Sequence, residues 1–308
     1  HRDLHSFPTR RSSDLRGKLK KEVFDFDTSI TGFRERCEKG ARRFGKIPER
    51  ITVNKQIIGG MECEWLIPQG SDPERVILYF HGGGYVSGSC NDHRGLISKF
   101  AVYSGIANLV FEYRLAPENP FPAAVEDSLI AYEWLLSNGY KPKNILFAGE
   151  SAGGGLCLAT LLALKDRNIV YPAAAIAISP WTDLTCSSDS YRTKNRVSPA
   201  PVDSWTVFSK YYIGADDGRN PLISPLFGNL HGLPPIFINS AMDDELYEDG
   251  EKFYKKAKDS GVDITFRAGK GMVHCYPLLA PMFREATEAM NEIVEFARRS
   301  LGIDGNQL

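Results

Sequence analysis

NILFAGESAGGGLCLATLLALKDRN, residues 144–168, is the stretch on which the fold turns. Its opening NILFAG is an apolar run with the length of a buried strand, and AGGGLCLATLLALKDRN carries the length and apolar spacing of a helix. Between them Gly149, Ser151 and Gly153 match G-x-S-x-G in the strand-to-helix setting that this motif requires. A serine at the tip of such a strained turn lifts its hydroxyl above a sheet, and only small neighbours let the backbone pass so tightly. The helix behind it adds partial positive charge where an oxyanion would develop. A serine N-cap flanked by glycines for helix packing leaves the same local pattern, so the rest of the chain has to decide.

Outward from this unit, strand-like and helix-like segments alternate. ITVNKQII and MECEWLI predict a hairpin-like pair around Gly59 and Gly60, and RVILYF, NLVFEY, AAAIAIS, PIFINSA and DITFR predict further strands. FPAAVEDSLIAYEWLLSNG predicts a helix stopped by Gly139, and EATEAMNEIVEFARRSL a closing amphipathic one. Continuous apolar strands interleaved with helices predict an α/β fold with a mostly parallel central sheet covered on both faces. Two segments break the alternation. Residues 16–50 are charged and amphipathic, and residues 186–222 form an insertion with Trp205, Phe208, Tyr211 and Tyr212. Both are expected to be helical and to cap a catalytic domain spanning 51–308, with Tyr85, Trp205, Phe208 and Tyr212 as candidate walls of an apolar substrate pocket. Simple packing of these aromatics on the body is the competing reading.

A serine hydroxyl needs a base, and the base needs an orienting group. His274 lies in AGKGMVHCY after the last predicted strand, at the same sheet edge as Ser151. His231, in the turn-like NLHGLPP, and His93, in a polar segment, are expected at the surface. SAMDDELYED follows the strand PIFIN and supplies Asp243 and Asp244, giving the chain order Ser, Asp, His. Spacing alone does not choose between the two aspartates. FHGGGYVSGS, residues 80–89, follows RVILYF, where such an enzyme keeps the second part of its oxyanion hole. Gly82 and Gly83 N–H groups, with that of Ala152, are the expected donors, and His81 is expected to brace the loop.

Composition narrows the partners. The 308 residues are 43% hydrophobic and 24% charged with a net charge of −1, and no basic stripe offers an electrostatic footprint for nucleic acid. Six scattered cysteines without a CxxC pair suit reduced thiols in a cytoplasm, not a disulfide frame or metal site. No run approaches the roughly eighteen apolar residues of a membrane span. Neither glycine cluster completes a phosphate-binding G-x-G-x-x-G, and no nucleotide or other cofactor is expected. Residues 1–15, HRDLHSFPTRRSSDL, resemble the in-frame translation of a sequencing-library adapter and are expected to be an assembly artefact without fixed structure.

Taken together, HGGGYVSGS, YRLAPENPFPAAVED, GESAGG, SPWTDLT, SPLFGNLHGLPP, DELYEDG and GMVH, in this order, resemble the hormone-sensitive-lipase-like family of bacterial esterases. The resemblance covers nearly everything after the N-terminal segment. It implies an α/β-hydrolase core with a helical cap, a cofactor-free carboxylesterase acting on small esters of short to medium acyl chains, and pairing into a homodimer. It also implies Asp244 as the triad acid, because D-x-L-x-x-[DE]-G runs from Asp244 through Leu246 to Gly250. Three positions depart from the pattern. Glu150 stands where Asp is commoner, Asn119 where His is frequent, and Glu245 where Pro is usual. The first two bear on substrate preference and the third on loop stiffness. An amidase or deacetylase would use the same triad, and a hormone receptor of this fold would keep the serine but not the histidine.

Overall fold

The computed structural model describes residues 23–41, 46–198 and 200–303, so the adapter-like segment and the first residues of the expected cap lie outside the described residues. Eight strands form one sheet: β1 (Ile51–Ile58), β2 (Met61–Pro68), β3 (Val76–Phe80), β4 (Ala107–Phe111), β5 (Ile145–Glu150), β6 (Ala174–Ile178), β7 (Ile236–Ala241) and β8 (Ile264–Gly269). Their order is β1-β2-β4-β3-β5-β6-β7-β8, with β2 antiparallel to both its neighbours and every other pair from β4 to β8 parallel.

The continuous apolar strands of the sequence are those buried on both faces. In β3, Val76, Leu78 and Phe80 point into one core and Ile77 and Tyr79 into the other. Helices α2 (Cys90–Ser104) and α8 (Arg284–Ser300) cover the second face through Ile97, Phe100, Met290 and Ile293. The first face is covered by α3 (Ala123–Ser137), α4 (Ala152–Asp166) and α7 (Tyr247–Asp259). Phe147 shows how tightly this side is filled: its ring lies 5.1 Å from that of Phe80 and 5.0 Å from that of Tyr132. Truncating such a side chain to alanine costs about 3–5 kcal/mol.

Helix α1 (Ile30–Ala41) comes from the N-terminal segment, and α5 (Ser190–Thr193) and α6 (Ser204–Ile213) from the insertion. These two segments, far apart in sequence, meet. Val23 bridges to Val202, the Phe24 N–H donates to Val202 O at 3.1 Å, and the Phe24 ring packs edge-on against Phe208 at 4.7 Å. Among the described residues no helix is long and apolar enough to cross a membrane.

Candidate active site

Parallel strands bring their carboxyl ends to one edge, and the residues singled out in the sequence follow those ends. His81–Gly84 leave β3, Ser151 leaves β5, Asp244 follows β7 by three residues and His274 follows β8 by five. Ser151 has φ 56 and ψ −124, a backbone conformation that a residue with a side chain rarely adopts. Two hydrogen bonds hold it there: its N–H donates to Ile178 O at 2.9 Å, and its C=O accepts from the Trp181 N–H at 3.0 Å. The close crossing explains the motif glycine at 153. A Cβ there would stand 2.1 Å from Phe80 O and 2.3 Å from His81 O.

His274 Nδ1 lies 2.6 Å from Asp244 Oδ2, and the Asp244 side chain is fully buried. Asp243, the alternative left open by spacing, instead reaches toward Lys194 at 3.8 Å. Burial works against charge on His274, but Asp244 together with the neighbouring Cys275 thiol outweighs it and raises the imidazole well above its ordinary pKa. Ser151 and His274 line the same cavity of about 320 Å³, together with Gly83, Gly84, Trp205 and Phe208.

The loop after β3 departs from expectation at one donor. The Gly82 N–H donates to Glu150 Oε1 at 2.8 Å, so it is already engaged and cannot serve an oxyanion. The N–H groups of Gly83, Gly84 and Ala152 have no acceptor among the described residues. The loop is also internally tied: Gly83 O accepts from the Val86 and Ser87 N–H groups, and Gly83 itself has φ 120, which only glycine adopts readily.

His81 is buried and stacked on Tyr113, with ring centroids 4.2 Å apart and Nδ1 2.8 Å from Gly82 O. Burial lowers its pKa to about 4, which keeps it neutral. His93, expected at the surface, is mostly buried, with 17% of its side chain exposed. It sits on α2, whose N-terminus is capped reciprocally by Ser89 and Asp92, and it bonds Asp92 through Nδ1 and Glu150 Oε1 through Nε2, the latter at 3.1 Å. Burial opposes its charge, but the two carboxyl groups raise its pKa well above the ordinary value. Glu150 therefore backs both the glycine loop and His93 from directly beside Ser151. His231 is exposed, with Nδ1 3.2 Å from Ser260 O.

Of the four aromatic candidates, Trp205 and Phe208 line the cavity, whereas Tyr85 and Tyr212 do not. The latter two stack on each other at 3.7 Å and 10°, each 1% exposed, because mutual packing buries more of both rings than a cavity wall would. Sequence reasoning missed Phe33 and Cys37 of α1, and Leu278 and Leu279, which add to the apolar lining. Among the described residues no group of three or more His, Cys, Asp or Glu side chains is placed to hold a metal ion.

A family described as "alpha/beta hydrolase fold" matches residues 77–278. An acetyl-hydrolase of Streptomyces hygroscopicus is 38% identical over 269 residues, covering 87% of this chain and 88% of that protein. The crystal structure of an esterase/lipase from an uncultured bacterium superposes with a TM-score of 0.88 at 38% identity, covering 94% of this chain and 97% of that one. An esterase of the bacterial hormone-sensitive lipase family superposes with a TM-score of 0.87 at 34% identity, covering 94% and 95%. The chain belongs to the α/β-hydrolase family, among the carboxylic ester hydrolases of the bacterial hormone-sensitive-lipase type.

Proposed function

We propose that the chain hydrolyses small carboxylic esters of short to medium acyl length by two-step acyl transfer through Ser151. The observation that carries this reading is the 2.6 Å contact of His274 Nδ1 with the buried Asp244, in a cavity that His274 shares with Ser151. With Nδ1–H donated to Asp244, Nε2 is the free base of the ring. It takes the proton of the Ser151 hydroxyl as that oxygen attacks the ester carbonyl, and Asp244 stabilises the imidazolium that results. The tetrahedral oxyanion accepts from the N–H groups of Gly83, Gly84 and Ala152, each such donor contributing roughly 3 kcal/mol to transition-state stabilisation. His274 then returns the proton to the departing alcohol, and water repeats the sequence on the acyl-enzyme.

Chain length follows from the walls. A cavity of about 320 Å³ sits at the small end for ligand sites and is lined in part by Trp205 and Phe208. The acetyl-hydrolase named among the relatives points the same way. Hydrolysis rates over p-nitrophenyl esters of rising chain length test the reading. The expected profile peaks between acetate and hexanoate; a steep rise toward palmitate contradicts it.

A further inference from the structure

We infer that Glu245 is a positioning residue for the acyl-binding wall: its carboxyl group holds the Trp205 indole over the site and so sets acyl-chain selectivity. This rests on the esterase reading above. Glu245 directly follows Asp244 and is 1% exposed. Three points of the insertion converge on it. The Ser190 hydroxyl donates to its backbone oxygen at 2.6 Å, Asn195 Nδ2 donates to Oε1 at 2.9 Å, and Trp205 Nε1 donates to Oε2 at 2.9 Å. Both carboxyl oxygens are thus used on the insertion, from a residue covalently next to the group that orients His274.

Trp205 is a wall of the cavity and stands edge-on to the His274 ring, centroids 5.9 Å apart. An indole free to turn about its side-chain bonds would change the depth of the cavity without touching the triad. Glu245 removes that freedom, since a buried N–H left without an acceptor is costly and fixes the rotamer that satisfies it. The effect is local. The insertion is separately fastened by Asp249, which accepts from the Tyr191 hydroxyl at 3.0 Å and, just ahead of the insertion, from the Thr182 and Asp183 N–H groups at 3.1 and 2.9 Å. Loss of the Glu245 carboxyl therefore leaves the insertion docked and releases the Asn195 amide and the indole N–H, so that the tilt of the indole is set by its ring contacts alone, such as Trp181 at 4.9 Å.

The test compares wild type, Glu245→Ala, Glu245→Gln, Trp205→Phe and the Glu245→Ala/Trp205→Phe double variant. The readout is the kcat/KM ratio for p-nitrophenyl acetate over hexanoate, per site titrated with a fluorophosphonate. The ratio should move about fivefold or more in Glu245→Ala and in Trp205→Phe, chiefly through KM, as expected for the loss of one buried hydrogen bond. The double variant should add nothing further, because both changes break one contact. Glu245→Gln should stay within about twofold of wild type, since its oxygen can accept from Trp205 while a turned Asn195 amide accepts from its nitrogen. A Glu245→Ala ratio within twofold of wild type, fully additive effects, or a Gln variant that behaves like Ala overturns the inference. Should Glu245→Ala not fold, an unchanged ratio in Trp205→Phe overturns it alone. A wild-type chain that neither turns over esters nor takes up fluorophosphonate brings down the esterase reading, and this inference with it.

Discussion

Glu150→Ala tests how much the residue beside the nucleophile contributes to holding the glycine loop. Its side chain is 5% exposed, and one oxygen, Oε1, accepts from both the Gly82 N–H at 2.8 Å and His93 Nε2 at 3.1 Å. Truncation leaves two buried donors unsatisfied. A lone buried N–H costs about 1–3 kcal/mol, and His93 keeps its pairing with Asp92 through Nδ1, so no uncompensated charge is left. The two orphaned donors together give an expected loss of about 2–4 kcal/mol. For a chain of this length that lowers Tm by roughly 3–6 °C. The loop released is the one carrying Gly83 and Gly84, so the loss of one well-placed oxyanion donor, about a hundredfold in kcat, should accompany it. Glu150→Gln keeps an acceptor for Gly82 and should retain most of kcat while losing part of the stability. Calorimetry and kcat per titrated site decide the matter. A Glu150→Ala variant melting within 1–2 °C of wild type with kcat within about twofold would refute the bracing argument.

Ser151→Ala should lower turnover by about a million-fold while leaving thermal unfolding nearly unchanged; residual esterase activity near wild type counts against Ser151 as nucleophile. His274 acts as base only when neutral, and Asp244 raises its pKa despite the opposing effect of burial, so kcat/KM should be lost as pH falls through a value above the ordinary 6.5. Asp244→Asn should move that acid limb downward and reduce kcat about ten-thousandfold; a wild-type limb at or below 6.5 contradicts the pairing. Gly153→Ala would drive a Cβ to 2.1 Å from Phe80 O, and a loss above about 4 kcal/mol, seen as failure to fold or a collapsed melting temperature, is expected.

The β5–Ser151–α4 unit was legible in sequence because everything it needs is local: an apolar run, a turn only small residues tolerate, and helix periodicity. Helix α2 was not, because it opens on the polar CNDHRG; Ser89 and Asp92, three apart, were the capping signal that could have found it, and His93 with it. The direction of the Gly82 N–H depends on Glu150, 68 residues away, which no spacing rule reveals. Tyr85 and Tyr212 show the same limit, since an aromatic residue type does not say whether it packs against a neighbour or lines a cavity. The three contacts on Glu245 come from a segment about 40 to 55 residues distant in sequence, and only the fold assembles them.

The most direct test of the central claim is a fluorophosphonate adduct mapped by peptide mass spectrometry. One phosphonylated residue, Ser151, is expected in the wild-type chain, and little labelling in His274→Ala because the hydroxyl then lacks its base. An active chain labelled at another residue, or one that labels equally well without His274, would contradict it.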